Sequence, residues 1–304
     1  MAFNFTAKCE DITAMPAANT PGQVTLTIPR LGRAKNIRLR FANSANTAIL
    51  LSAITRIQAK MGGGIQRRTS ATRWDAKNAL NGAQYASQSY GVSGTDYERF
   101  LTLYFEEPWR NRIRSNSIDS AALGWKTLWT NSNKPLQVIL DVAALGAGVQ
   151  AAISAEVEFD DADDGKENAI IKWEEDDYNA NAGVASISNI DNGLKAGEGI
   201  VAISAFTTPA GTTPTAIRFE WGKTTIKPDQ TIRSLNNELS SAGLFPATAD
   251  AIQVGAHVVL DKNDALDDAL QVGVASSMFK VTLSGAAATT LPIVREILGL
   301  PNKS

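Results

Sequence analysis

Few residues in this chain have the type and spacing for chemistry, and most of those are carboxylates. Residues 156–177, EVEFDDADDGKENAIIKWEEDD, hold eleven Asp and Glu (Glu156, Glu158, Asp160, Asp161, Asp163, Asp164, Glu167, Glu174, Glu175, Asp176 and Asp177) against Lys166 and Lys172. Clustered carboxylates suit calcium. Read from Asp160, however, Ala162 fills a ligand position and Ile171 stands where a bidentate Glu closes the loop. Read from Asp177, Asn179 and Asn181 alternate like ligands, but Ser188 fails the last position. Like charges this dense repel and resist burial, so the run reads as a solvated connector, with calcium a secondary reading.

Other chemistries have less to work with. Nucleophilic catalysis would have to use His257, which sits in an apolar strand pattern from Val254 to Leu260. A zinc site needs about four ligands, and Cys9 and His257 are the only members of their types. One cysteine excludes an intrachain disulfide. MGGGIQRRTS (61–70) has no Lys-Ser/Thr after its glycines, so it is a tight loop and not a phosphate cradle. Glu106 and Glu107 follow a strand, but adjacent strand residues point to opposite faces and would not flank one glycosidic bond. The six tryptophans are scattered, which fits packing better than sugar platforms. No catalytic residue, metal site or cofactor is assigned.

The basic residues form two groups: Arg67, Arg68 and Arg73, then Arg110, Arg112 and Arg114. Each could meet phosphates, water or carboxylates. Residues 1–155 contain 18 Lys and Arg against 9 Asp and Glu; residues 156–304 contain 11 against 22. A basic first half and an acidic second half suggest that these six arginines meet carboxylates of a neighbouring copy. Such contacts favour register and association rate more than raw stability. The net charge of −2 argues against a sequence-specific nucleic-acid binder.

The elements that must position these groups are mostly short strands. The chain has 304 residues, 44% hydrophobic. Period-two alternation marks 24–29, 37–41, 49–61, 100–105, 136–142 and 149–159, and again 200–206, 217–221, 256–260, 278–283 and 291–298. Helical spacing occurs at 72–83, with Thr72 and Asp75 as a capping box and Gly82 as its stop, at 118–129, at 232–242 with Gly243 as its stop, and around Leu266–Leu270. The start lacks a signal-peptide core. The apolar stretch 138–157 contains Asp141 and a Gly146/Gly148 turn, so no transmembrane helix is expected.

The order of elements repeats after the connector, which suggests one plan used twice. The expected fold is all-β: two eight-stranded antiparallel jelly rolls, a double jelly roll, with short helices in the connections. The expected boundaries are an N-terminal arm at 1–22 carrying Cys9, a first jelly roll at 23–160, the acidic connector at 161–177 and a second jelly roll at 178–304.

Particular stretches carry a resemblance. LTIPRLGRAKNIRLRF, AITRIQAKMGGG, RWDAKNALNG and FLTLYFEEPWRNR in the first half, with AIRFEWG and SLNNELSSAG in the second, are similar to corticovirus-type double jelly-roll major capsid proteins of tailless, membrane-containing icosahedral phages. The resemblance spans about residues 20–300 and is one of order and character. It implies a non-enzymatic structural protein, a homotrimer forming a pseudo-hexagonal capsomer. Capsomers then tile an icosahedral virion shell over an internal lipid membrane. It also implies partners among other virion proteins, such as a vertex protein, and the membrane surface, with synthesis in the bacterial host cytoplasm. The longer acidic connector departs from the family pattern. The alternative reading is a two-domain β-sandwich module that binds carbohydrate, such as an adhesin; a glycosidase stands third.

Overall fold

The computed structural model describes residues 4–43, 49–92, 96–106, 125–126, 135–146, 151–160, 170–180, 183–188, 194–195, 198–206, 216–221, 224–241, 243–244, 254–259, 270–271, 279–286 and 289–300. The chain forms two compact units that divide between Lys172 and Trp173, with Leu80–Ala83 grouped with the second.

The first unit contains β1 (Asn4–Lys8), β2 (Asp11–Ile12), β3 (Gly22–Thr27), β4 (Arg33–Asn43), β5 (Ile54–Met61), β6 (Gly64–Thr69), α1 (Ala71–Leu80), β7 (Gln88–Val92), β8 (Asp96–Tyr104), β9 (Trp125–Lys126), β10 (Gln137–Val142) and β11 (Ala151–Asp160). One sheet runs β1-β11-β4-β8-β7, with β9 against β4; the other runs β6-β5-β10-β3-β2. Alternation explains which side faces in. Ile37, Leu39 and Phe41 of β4 are buried while Arg38 and Arg40 face out. Val138, Leu140 and Val142 of β10 meet Val24 and Leu26 of β3 in the same way. Leu101, Leu103, Val157 and Phe159 complete the core. Each such side chain contributes about 1.5–3 kcal/mol on burial.

The second unit contains β12 (Ile170–Ala180), whose first residues belong to the first unit, then β13 (Gly183–Ser188), β14 (Gly199–Phe206), β15 (Ala216–Trp221), β16 (Thr224–Thr231), α2 (Ile232–Ser241), β17 (Val254–Val259), β18 (Leu270–Gln271), β19 (Phe279–Ala286) and β20 (Thr289–Gly299). Its strands order as β12-β20-β14-β17, with β18 against β14, and as β13-β19-β15-β16. Eight strands of one unit match eight of the other, with edge strands β2 and β7 present in the first alone among the described residues. The order β3-β10-β5-β6 corresponds to β13-β19-β15-β16, and β1-β11-β4-β8 to β12-β20-β14-β17. In each unit a hairpin leads into a ten-residue helix, β5-β6 into α1 and β15-β16 into α2. In each, a two-residue strand pairs with the third strand of that second set of four, β9 with β4 and β18 with β14.

This correspondence corrects both expected linkers. Residues 4–8, expected in an arm, pair with β11, and the Phe5 and Phe159 rings stack with centroids 5.4 Å apart. Residues 170–177, expected in a solvated connector, lie in β12, where Ile170, Ile171, Lys172 and Trp173 are buried. Each unit opens with a strand on the same side of the same sheet. Both were hidden by polar residues on their outward faces. Residues 161–169 lie outside the described residues.

Local propensity lost elsewhere. The helix expected at 118–129 falls outside the described residues except at Trp125–Lys126, which pair with Ala34 and Arg33 as a strand. The helix expected near 266–270 is described only at Leu270, in β18. Ladder hydrogen bonds to a neighbouring strand outweigh a weak helical periodicity. TTIKPDQ, which lacks an alternating apolar pattern, is strand β16; Lys227 pairs Phe219 and Gln230 pairs Ile217, leaving Pro228 and Asp229 in a bulge. Proline is tolerated at such a position because it breaks no ladder bond there.

Candidate functional site

Among the described residues no three His, Cys, Asp or Glu side chains group as a metal site. His257 lies in β17, in register with Ser204. Cys9 is buried; its Sγ donates to the carbonyl of Thr27 at 3.1 Å, and burial pushes the thiol pKa up to about 11. No described helix is long and apolar enough to cross a membrane. What the fold does position, on both faces of its sheets, is charge.

Arg67 is fully buried, which removes it from the expected inter-subunit set. The cause is a β-bulge. The β5-β6 register shifts between Ala59 and Lys60, and Gln66 and Arg67 both turn inward. A bulge re-aims a side chain in this way. The guanidinium donates from Nε to Ile171 O at 2.9 Å, from Nη1 to Tyr104 O at 2.5 Å and from Nη2 to Phe105 O at 3.4 Å. It also lies over the Phe105 ring, 5.8 Å from the centroid. Arg67 therefore ties together the bulged β6, the end of β8 and the start of β12. Arg68 points outward and is exposed, and Arg73 is half-buried on α1. Arg110, Arg112 and Arg114 lie outside the described residues.

The outward face of β1-β11-β4-β8 is a mosaic of pairs that sequence reasoning did not find. Arg40 bonds Glu98, which holds the Glu98 carboxyl below its usual range. Lys35 lies 3.1 Å from Glu106 and 3.7 Å from Glu158, while Asn36 Nδ2 donates to Glu158 at 2.7 Å. Burial pushes Glu106 above the ordinary carboxyl pKa, and Lys35 only partly offsets that. On the other sheet, Arg56 and Gln23 both hold Asp141 from neighbouring strands. In the second unit, buried Arg295 of β20 bonds Glu174 and Asp176 of β12, each at 2.9 Å. Two carboxylates of the acidic run are thus ligands of a structural arginine.

Comparison with known proteins adds one decisive observation. No protein-family model matches the chain, and no curated protein matches it. Among solved structures, the major capsid protein P2 from bacteriophage PM2 superposes with a TM-score of 0.73 at 12% identity, over 99% of this chain and 99% of that one.

The chain is a double jelly roll.

The major capsid protein of STIV matches this double jelly roll with a TM-score of 0.67 at 13% identity, covering 98% of this chain and 97% of that one. The Faustovirus major capsid protein matches at 0.58 and 8% identity, over 100% and 91%. At such identities backbone paths are shared while side chains are not. The buried Arg67 and the Arg295 pairs are therefore read from this chain alone.

Proposed function

We propose that this double jelly roll is the major capsid protein of a tailless, membrane-containing icosahedral phage. Three copies form a pseudo-hexagonal capsomer, and capsomers tile a shell over an internal lipid membrane. The observation that carries this reading is the end-to-end match to two viral major capsid proteins at nearly the full length of both chains. The internal chemistry supports it: buried cations are spent on fixing strands. A role for the chain as a structural protein and not an enzyme follows from the same reading.

Within that capsomer, Arg68, Arg73, Arg110, Arg112 and Arg114 of the basic half meet carboxylates of a neighbour's acidic half. Further partners are other virion proteins, a vertex protein among them, and the membrane surface. The protein is made in the host cytoplasm and resides in the virion. Light scattering on the size-exclusion peak tests the reading: it should give a mass near three times the 32.4 kDa of the chain. A monomer at all concentrations, with no shells by electron microscopy of the source material, would sink it.

A further inference from the structure

Strand β7 is an addition to the eight-strand plan of the first unit, and its outer edge is open. It pairs with β8 on one side, and no described strand lies on the other. Gln88, Ser89, Tyr90 and Gly91 are all exposed, Tyr90 at 58%. An open edge offers a row of backbone donors and acceptors to any extended chain, and proteins blunt such edges with charge, proline or shortness. The edges at β1 and β2 follow that rule: β1 ends in Lys8, and β2 has two residues, one of them Asp11. β7, QSYGV, has neither charge nor proline.

The same strand is gripped from both faces. On the outward face the Tyr90 and Phe100 rings meet edge to face, with centroids 5.8 Å apart. On the inward face, which Leu101 and Leu103 mark, Tyr97 stands opposite Gly91, and a methyl group at Gly91 would collide with its ring. An aromatic ring laid over a cross-strand glycine pins the pair. The edge is thereby held extended, and a partner has little ordering left to supply. Of the charges on β8 beside it, Glu98 bonds Arg40, Arg99 Nη2 donates to Ser87 Oγ at 3.1 Å, and Asp96 stands opposite Val92 at the hairpin end.

We propose that β7 pairs antiparallel with β7 of a second copy of this chain, across a two-fold axis at Tyr90. The strand is its own complement. About Tyr90, Gln88 falls opposite Val92 and Ser89 opposite Gly91, so no charge within the strand meets its like, and the two tyrosines form an aromatic cross-strand pair. Main-chain hydrogen bonds supply the affinity, as in strand addition generally. Five residues a side are far fewer than the ~20–30 of a stable interface. The pairing therefore holds only where many copies repeat it together, which selects a second copy over a free partner. A two-fold contact cannot lie on the three-fold axis of the proposed capsomer, so it joins one capsomer to the next. The inference rests on the shell reading for that placement and goes beyond it by assigning an inter-capsomer strand pair.

Cysteine substitutions in the full chain test the register, because a disulfide traps even a weak contact. The pairing sets the two Tyr90 Cα atoms within the ~4.4–6.8 Å that a disulfide spans. It sets the two Gln88 Cα atoms roughly 13 Å apart along the strands. Cys9 is buried and does not compete. Under mild oxidation of concentrated protein, Tyr90→Cys should form linked dimers at least tenfold faster than Gln88→Cys. An equal mixture of Gln88→Cys and Val92→Cys should form mixed dimers. Melting curves beside wild type show which variants fold; if Tyr90→Cys does not, the mixture carries the test, since it keeps Tyr90 in place. Light scattering on the oxidised, undenatured variant should give particles of two or more capsomers. Equal rates for Tyr90→Cys and Gln88→Cys, no dimers from any variant, or linked chains confined to one three-chain particle overturns the inference and leaves the shell reading standing. Dimers that follow the register from a wild type that is not a trimer leave the strand pair standing and remove the shell reading instead.

Discussion

At the residue scale, the buried charges make the sharpest predictions. Replacing Arg67 by Met removes the guanidinium that donates to the carbonyls of Ile171, Tyr104 and Phe105 inside the first unit. Urea unfolding should show a loss of about 3 kcal/mol, with Arg67→Lys in between, because one ammonium cannot span three carbonyls set by a planar fork. Cys9, with a thiol pKa of about 11, should be inert. At pH 8 on the order of one thiol in a thousand is thiolate, so maleimide should label it at the rate of unfolding and not of encounter. Glu106 and Glu98 carry opposite pH signatures. Burial makes folded Glu106 hold its proton more tightly than the unfolded chain does. Its contribution to stability therefore falls as pH rises through and just above the ordinary carboxyl range. Relative to wild type, Glu106→Gln should gain stability across that window. Arg40 lowers the pKa of Glu98. Its contribution is present above the ordinary range and lost as pH falls, so the deficit of Glu98→Gln should close on acidification. Urea midpoints at several pH values check both signs.

At the element scale, turns and caps show what a few backbone positions demand. Gly62 and Gly63 join β5 to β6 with φ of 61° and 88°. That two-residue turn matches the twist of a hairpin. Helix α2 ends in a Schellman motif: Leu244 N donates to Leu239 O at 2.9 Å and Gly243 N to Ser240 O at 3.0 Å, with Gly243 at φ 83°. A Cβ on Gly243 would meet nothing within 4 Å, so the only penalty is conformational. Gly243→Ala should therefore cost about 1 kcal/mol in thermal unfolding, and Gly243→Asn less. These elements were legible because glycine after a periodic run is a local signal. The cap of α1 was less so. Ser70 Oγ accepts from Arg73 N, in place of the Thr72 and Asp75 pair expected from the sequence. Asp75 instead accepts from the amide and hydroxyl of Ser87, twelve residues on. A carboxylate chooses between a local amide and a distant one only once the chain has folded back.

At the scale of the whole molecule, the duplicated topology accounts for where reading failed and where it held. The inner faces of β3, β4, β10 and β11 were visible as alternation because one side of each strand meets a core. The strands that open each unit, β1 and β12, were not, since their outward residues are charged or polar and resemble a linker. The proposed inter-subunit contacts belong to this scale too. If they are electrostatic, as the charge halves suggest, raising salt from about 50 to 500 mM should slow capsomer association far more than it lowers the melting temperature of the chain. Stopped-flow light scattering beside a thermal melt separates the two. Equal sensitivity of both would remove the electrostatic account.

By itself the sequence determined the class of the fold, its repetition and the asymmetry of charge between halves. Those are properties of periodicity and composition, which survive without coordinates. Only the tertiary structure decided which arginine is inside. Arg67 and Arg68 are neighbours of the same type in a polar run, and a bulge formed against β5 turns one into the core and leaves the other exposed. The partners of the acidic run were settled in the same way. Glu174 and Asp176 meet Arg295 across more than a hundred residues of chain, a distance over which local spacing carries no information.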